Sequence, residues 1–295
     1  MRISFLRGTI HLVTARDCLA LRPLVQPLHE RDWAGSRFGQ SLAGIDMKAL
    51  LAAARKALEE QPVTAGQLGK LLAQEWPGRD PYSLSLAIRY MVPLVQIPPR
   101  GVWGQSGRAT WTTVEAWLGR PLDPRPSLER MALRYLAAYG PAAVADMRNW
   151  SGITGLREIF DGLRPRLRTF RDEAGRELFD LPDAPLPDPD TPAPPRFMPV
   201  YDNAYLGHGD RSRIVTDEFR KRFNTGELGS AVLIDGFGRA GWKIVRDGQR
   251  ATLVVRYFER LSKAERVVLA EEGTKLLAFM AADTAGHDVK IAAAD

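Results

Sequence analysis

Apolar positions in the middle of the chain follow a helical period in two stretches, and each stretch ends in extended, Arg- and Gly-rich sequence. The first stretch predicts three helices and then two extended segments, at residues 47–60, 65–76, 82–91, 94–97 and 109–111. The second predicts the same order, with helices at 128–139, 141–147 and 154–163 and a hairpin turning at 172–175. The pattern therefore indicates one structural unit present twice.

Helices followed by a basic hairpin are typical of winged-helix units, which we place at residues 47–125 and 126–182. Such a unit offers one helix to the major groove of DNA and a cationic hairpin, the wing, to the phosphates. The pattern thus predicts DNA as the binding partner, and it says much less about any reaction.

The segments on either side of the repeat have different patterns. Residues 1–46 open with β-rich sequence at 3–13, which predicts the remnant strand of an earlier winged-helix unit, followed by a helix. No strand precedes it to serve as a partner, so we expect either a piece of a longer protein or a shortened relative. Residues 183–195 hold six prolines and predict a stiff linker.

The last segment, residues 196–295, predicts a β-rich α+β domain. Its expected strands lie at 197–205, 230–235, 240–247 and 251–258, and its expected helices at 210–223 and 262–280. The predicted fold class is therefore α+β: tandem winged-helix units followed by a β-rich C-terminal domain.

Charge is unevenly distributed between these regions. The first 181 residues carry 25 Lys and Arg against 18 Asp and Glu, a balance of +7, whereas the remainder carries 16 against 17. All but three of the first 25 cations are Arg, which forms planar contacts with phosphate and guanine. The positive field therefore lies in the part that contains the repeat.

Composition excludes several classes of protein. No apolar run is long enough to span a bilayer, and no secretory signal pattern is present, so we expect a cytoplasmic protein. Cys18, the single cysteine, excludes a disulfide framework or a cysteine-rich zinc site within one chain. The four histidines are scattered, and no phosphate-binding loop or nucleophile motif occurs, so we predict neither a metal nor another cofactor.

The candidate DNA-binding residues are basic or aromatic and lie on the predicted helices, turns and wings. They are Arg7, Tyr82, Arg89, Arg100, Arg108, Arg164, Arg166, Arg168, Arg171 and Arg211. Alternate residues of a strand share a face, so we predict that the arginines from 164 to 171 line up along a phosphate backbone. A solvated wing that binds no ligand remains the alternative.

Candidate catalytic groups are few. Asp202 and His208 form an acid–histidine cluster that could activate water, and His11 on the opening strand is a further candidate. For each of them a structural role is the competing interpretation, with Asp202 capping a turn.

Four sequence strings, in this order, resemble a known bacterial family: LRGTIHLVT at 6–14, YDN at 201–203, HGDRSR at 208–213 and VLIDG at 232–236. The chain resembles the winged-helix DNA-binding family that includes DNA glycosylases for azinomycin resistance and crosslink repair. The resemblance implies three winged-helix units around a duplex and hydrolytic excision of alkylated purines. It also implies a water-positioning Gln-x-Gln or Gln-x-Asp motif upstream of the LRGT strand, and neither motif occurs in these 295 residues.

We therefore predict a monomer that binds double-stranded DNA, including damaged DNA, with little sequence preference, and that binds no membrane. Enzymatic activity is left open. A transcription regulator, which should form a dimer on a palindrome, is the first alternative, and a winged-helix protein that contacts other proteins is the second.

Overall fold

The computed structural model describes residues 1–223 and 230–294, and the chain divides into two units, Met1–Pro182 and Asp183–Asp295. Both units mix helices and strands, so the fold is mixed α/β. No helix in the described ranges combines the length and apolar character needed to cross a membrane.

Unit 1 opens with a hairpin and three helices. These elements are β1 (Arg2–Ser4), β2 (Ile10–Leu12), α1 (Ala15–Leu21), α2 (Gln26–Ala34) and α3 (Arg37–Ser41). The hydroxyl of Thr14 accepts a hydrogen bond from the Asp17 amide and so caps α1.

The first repeat follows, and each of its three long helices begins at a capping side chain. Its elements are α4 (Met47–Glu60), β3 (Val63–Thr64), α5 (Ala65–Glu75), α6 (Pro81–Met91), β4 (Leu94–Gln96) and β5 (Thr110–Thr113). Asp46, Thr64 and Asp80 accept hydrogen bonds from the first-turn amides of these helices. Local sequence therefore explains where these helices start.

The opening hairpin belongs to the sheet of the first repeat. The strand order is β2-β1-β4-β5-β3, and β1 pairs antiparallel with both β2 and β4, with Ile3 opposite His11 on one side and Val95 on the other. The expectation that the opening strand lacks partners is wrong, because β2 follows it directly in the chain and β4 comes from residues nearly a hundred positions later.

The second repeat has the same order of elements. Its elements are α8 (Leu128–Tyr139), α9 (Val144–Ser151), α10 (Leu156–Leu163), β6 (Arg168–Arg171) and β7 (Glu177–Asp180), and the short helix α7 (Val114–Leu118) precedes them at the end of the first repeat. A single bridge between Ala142 and Phe179 stands where the first repeat has β3 paired with β5. In both copies the last strand lies between the other two pairing segments.

Two hydrophobic cores hold unit 1. One lies inside the first repeat and takes Trp33 and Leu42 from the preceding segment. The other joins the opening hairpin and α1 to the second repeat, with Phe5, Cys18, Tyr135 and Phe160 among its buried members. The N-terminal segment therefore packs against both repeats.

Unit 2 is a five-stranded sheet with helices. Its elements are β8 (Arg196–Phe197), α11 (Asn203–Leu206), α12 (Asp217–Phe223), β9 (Ser230–Ile234), β10 (Phe237–Asp247), β11 (Arg250–Tyr257), α13 (Lys263–Met280) and β12 (Gly286–Ala293). The strand order is β12-β11-β10-β9-β8. Helix α13 connects the parallel strands β11 and β12 across the sheet.

Three details of unit 2 differ from the sequence prediction. The expected strand at 197–205 ends at Phe197, because Asp202 begins a short helix instead. The expected helix at 210–223 begins only at Asp217. Strand β12 was not predicted, since its parallel partner β11 is distant in the sequence.

Candidate nucleic-acid interface

The second basic hairpin differs from the predicted row of arginines. Residues Arg164–Arg166 form a 3₁₀ turn around Pro165, and β6 begins only at Arg168. Proline fits a helical turn, since its φ is fixed near the helical value and it has no amide hydrogen to donate. The prediction that Arg164, Arg166 and Arg168 share one strand face is therefore wrong.

Two arginines of this hairpin are held by the protein itself. Both terminal nitrogens of Arg164 donate to the Glu177 carboxylate, at 2.8 and 3.0 Å, and Asp161 lies 3.5 Å away. The Glu177 hydrogen bond raises the pKa of Arg164 above its ordinary value. Arg171 donates to the Gly175 carbonyl at 3.0 Å. Arg164 and Arg171 therefore take part in hydrogen bonds within the hairpin itself.

Arg166 and Arg168 are different. Both are exposed, and Arg168 stacks over the Phe170 ring with its guanidinium 5.1 Å from the ring centroid. Within residues 1–223 and 230–294, no carboxylate lies within ion-pair distance of either. Two cationic side chains without a carboxylate partner among the described residues therefore lie at the start of this hairpin.

The first basic hairpin contributes Arg108 and Arg100. Arg108 is exposed and lines a surface groove at the start of α5 together with Lys70 and Gln67. Arg100 is half-buried, and its Nε is buried with no hydrogen-bond acceptor among the described residues. The two arginines lie near opposite ends of the loop between β4 and β5.

Helix α6 is covered along most of its length. Six consecutive residues, Ser83–Ile88, are buried, because α2, α3 and α5 pack around the helix. Tyr82 is exposed at its N-terminal end and contacts Phe38, while Arg89 near the other end lies over the Trp111 ring at 5.0 Å. Only the two ends of α6 and a small part of its side are therefore accessible to a ligand.

The turn of the opening hairpin is fixed by Arg7. This residue has a left-handed φ of 53°, and its guanidinium donates to the Trp150 carbonyl at the end of α9. A Cβ placed on Gly152 would lie 3.5 Å from the Arg7 Cα, so the two backbones approach closely. The structure therefore places Arg7 in a joint between the hairpin and the second repeat.

His11 lies on β2 with its ring edge-on to Phe5, at a centroid distance of 5.8 Å. Its Nδ1–H donates to the Thr9 carbonyl at 3.1 Å. Burial lowers the pKa of His11, and the nearby charge of Arg7 acts in the same direction. The ring is therefore a neutral group that leaves Nε2 as an acceptor.

In unit 2, Asp202 caps a helix. Its Oδ1 accepts a hydrogen bond from the Ala204 amide at 2.7 Å, at the start of α11. Burial, together with the Asp202 charge, raises the pKa of Tyr205 above its ordinary value. This geometry matches the structural interpretation of Asp202.

His208 and Arg211 lie in the loop that follows α11. His208 is half-buried and contacted by other residues, and Arg211 is exposed. The Oδ1 atom of Asp210 accepts a hydrogen bond from the Ser212 amide at 3.0 Å. Among the described residues, no group of three His, Cys, Asp or Glu side chains is arranged to hold a metal ion.

The sequence analysis missed a buried polar pair, Arg22 and His29, beneath the opening hairpin. It also missed Gln26, whose amide donates to the Tyr90 and Met91 carbonyls at the end of α6. Spacing in the sequence gave no signal for either, because their roles depend on which helices meet.

Three comparisons place this chain among known proteins. The family model described as "DNA glycosylase AlkZ-like" matches residues 1–279. A comparison with curated proteins finds no match. Among solved structures, the DNA glycosylase AlkZ of Streptomyces sahachiroi is similar with a TM-score of 0.71 and 20% identity, over 99% of this chain and 81% of that one. The likeness in structure supports the fold, and the family match shows that this chain belongs to the AlkZ-like DNA glycosylase family.

Proposed function

We propose that the chain is a duplex DNA-binding protein built on two winged-helix units, residues 47–125 and 126–182. The order of elements supports this assignment. Each copy runs helix, strand segment, helix, helix, strand, loop, strand, and the last strand is central in both. The loops between the last two strands are then the wings, and they carry Arg100 and Arg108 in the first copy.

The observation that carries the proposal is the exposed pair Arg166 and Arg168. Both lie in the positively charged unit, and neither is neutralised by a carboxylate among the described residues. Their neighbours Arg164 and Arg171 are already bound within the hairpin. A surface that binds some arginines internally and leaves adjacent exposed ones without a carboxylate is suited to phosphate oxygens.

Binding of this kind should tolerate many sequences. Base readout in the major groove requires an exposed helix side, and in the first copy the middle of α6 is buried under α2 and α3. Contacts from Tyr82, Arg108, Arg166 and Arg168 would mainly reach the sugar-phosphate backbone. Phosphate contacts position a protein on the duplex but carry little sequence information.

The reaction class that accompanies this proposal is hydrolysis of the N-glycosidic bond of a damaged purine, in keeping with the family. An alkylated purine carries its own positive charge and leaves as a neutral base, so the reaction needs no cofactor. The base must leave the stack to be reached. Because the 295 residues hold neither Gln-x-Gln nor Gln-x-Asp, we assign water activation to no residue of this chain.

The decisive test of DNA binding is a salt titration. Fluorescence anisotropy with a labelled duplex of random sequence should give an affinity that falls steeply between about 50 and 200 mM salt, because bound phosphates release counterions. Competition with palindromic and random duplexes should give equal affinities. An affinity independent of salt would overturn the proposal, and a strong palindrome preference with a dimer would favour the transcription regulator.

Catalysis requires a separate assay. A duplex containing an N7-alkylated guanine would be incubated with the protein and then with alkali, which cuts the strand at an abasic site. Strand cleavage above the protein-free rate would support glycosylase activity. Tight binding without cleavage would leave the chain as a DNA-binding protein only.

A further inference from the structure

Exposed apolar side chains lie on β2, the edge strand of the sheet in unit 1, and in the loop between β4 and β5. Leu12 is 71% exposed and Trp103 is 65% exposed, and Ile10 and Val102 are also exposed. Ile10 and Leu12 lie two residues apart on β2, so they share one face of an edge strand. Trp103 and Val102 lie in the loop between β4 and β5.

The loop between β4 and β5 lies directly against the opening hairpin. A Cβ placed on Gly101 would be 3.9 Å from Leu12 Cδ1 and 3.6 Å from the Cβ of Arg2. The loop is built from tight turns, with the Val102 amide donating to the Pro99 carbonyl and the Gln105 amide to the Val102 carbonyl. The apolar cluster is therefore a defined surface made by two separate segments.

Charge within these two segments has one sign. Residues 1–14 and 94–113 contain four arginines and no Asp or Glu; the arginines are Arg2, Arg7, Arg100 and Arg108. Arg2 is held by the Gln96 side chain at 2.7 Å, and Arg108 is exposed. An apolar cluster framed by arginines complements a partner that is apolar inside and anionic outside.

Duplex DNA has this arrangement, since stacked bases lie between two phosphate backbones. Proteins that bend DNA insert apolar side chains between base steps from the minor groove while cations hold the flanking phosphates. A second copy of the chain fits less well, because a symmetric contact at this surface would bring the arginines of both copies together.

We propose that Trp103, supported by Leu12 and Val102, is a wedge that enters the minor groove and stacks on an opened base step. Arg100 and Arg108 then contact the phosphates on either side of that step. This inference rests on the proposed DNA binding and adds to it a means of separating bases, which a protein acting on a buried base requires.

The test uses the full chain and duplexes with 2-aminopurine at one position, whose fluorescence reports base stacking. The wild-type protein at saturation should change this fluorescence. Trp103→Ala should lose the change and bind about tenfold more weakly, within the range measured for base–aromatic stacking, and Trp103→Phe should restore most of both effects. Trp117→Ala is the matched control, because Trp117 is 45% exposed on α7, outside both segments.

The outcomes distinguish a failure of the wedge from a failure of the proposed DNA binding. If Trp103→Ala keeps the full fluorescence change and affinity while its thermal melt is unchanged, the wedge is overturned. If Trp103→Ala instead abolishes a concentration-dependent dimer in sedimentation velocity, the surface is a contact between copies and the wedge is again overturned. If the wild-type protein binds no duplex at any salt concentration, the proposed function itself fails.

Discussion

The guanidinium of Arg22 donates through Nη2 to Nδ1 of His29, 3.3 Å away, and both side chains are almost fully buried. Nε2 of His29 in turn donates to the Phe5 carbonyl at 3.0 Å, so the ring is neutral and carries its proton on Nε2. Burial lowers the pKa of Arg22 to about 10, and Nη1 has no hydrogen-bond partner among the described residues. The pair thus joins α2 to the turn of the opening hairpin at the cost of burying a charge.

Acidification should destabilise the fold through His29. Burial, and then the charge of Arg22, lowers the pKa of His29 below the ordinary value of 6.5. The unfolded chain therefore binds more protons as the pH falls below 6.5, and the free energy of unfolding decreases until the folded-state pKa is passed. We expect urea denaturation to show lower stability at about pH 5 than at about pH 7.

The variant His29→Gln keeps a donor for the Phe5 carbonyl and removes the titrating ring. Its loss of stability on acidification should be smaller than that of the wild-type protein. His11→Gln serves as the comparison, because burial also lowers the pKa of His11 and contributes with the same sign. Equal pH dependence in His29→Gln and the wild-type protein would rule out this role for His29.

Removing the exposed arginines of the second hairpin should weaken DNA binding uniformly. Arg166→Ala combined with Arg168→Ala is expected to lower the affinity for duplexes of any sequence by on the order of tenfold and to reduce the salt slope by about 2. The measurement is anisotropy at several salt concentrations. Arg164→Ala should change binding less, because its guanidinium is engaged by Glu177.

The matched control for this variant is Lys263→Ala combined with Lys275→Ala. It removes the same charge from exposed positions on α13 in unit 2. The control should retain wild-type affinity. A loss of equal size in both variants would mean that net charge, and not the hairpin, determines binding.

Two glycines with the same backbone conformation should respond differently to alanine. Gly152 and Gly155 have φ values of 79° and 75°, so alanine costs about 1–2 kcal/mol at either position. A Cβ at Gly152 would also lie 3.0 Å from Leu28 Cδ2, whereas one at Gly155 would meet no atom within 4 Å. Gly152→Ala should therefore lower the free energy of unfolding by about 1 kcal/mol more than Gly155→Ala.

Urea denaturation of both variants measures this difference. The additional loss at Gly152 would establish that the second repeat packs tightly against Leu28 of α2, beside the point where Arg7 meets Trp150. Equal losses would show that the Leu28 side chain moves aside without measurable cost.

Helices were predicted well because the signals that start them are local. Asp46, Thr64 and Ser127 each cap a helix within three residues, and apolar spacing marks the buried side. Strands that depend on distant partners were predicted poorly. Strand β12 pairs with β11 only after α13 has crossed the sheet, and β1 pairs with β4 across most of the first repeat.

The candidate site likewise has features that the sequence indicated and features that only the structure shows. The sequence indicated a basic hairpin around residues 164–171, but it treated all four arginines as equivalent. The structure distinguishes them, because Glu177 and the Gly175 carbonyl engage Arg164 and Arg171, whereas no carboxylate among the described residues pairs with Arg166 or Arg168. Likewise, Asp202 could be a base or a cap by sequence, and its bond to the Ala204 amide matches the cap.

By itself, the sequence determined the duplicated helix-and-hairpin order, the charge asymmetry and the resemblance to a family, since periodicity, caps and composition are properties of neighbouring residues. Only the tertiary structure decided which cations are paired within the protein, which helix sides are covered, and that Leu12 meets the Trp103 loop. Burial and ion pairing depend on groups that folding brings together from distant positions in the chain. The spacing of residues along the sequence does not specify the distances between those groups.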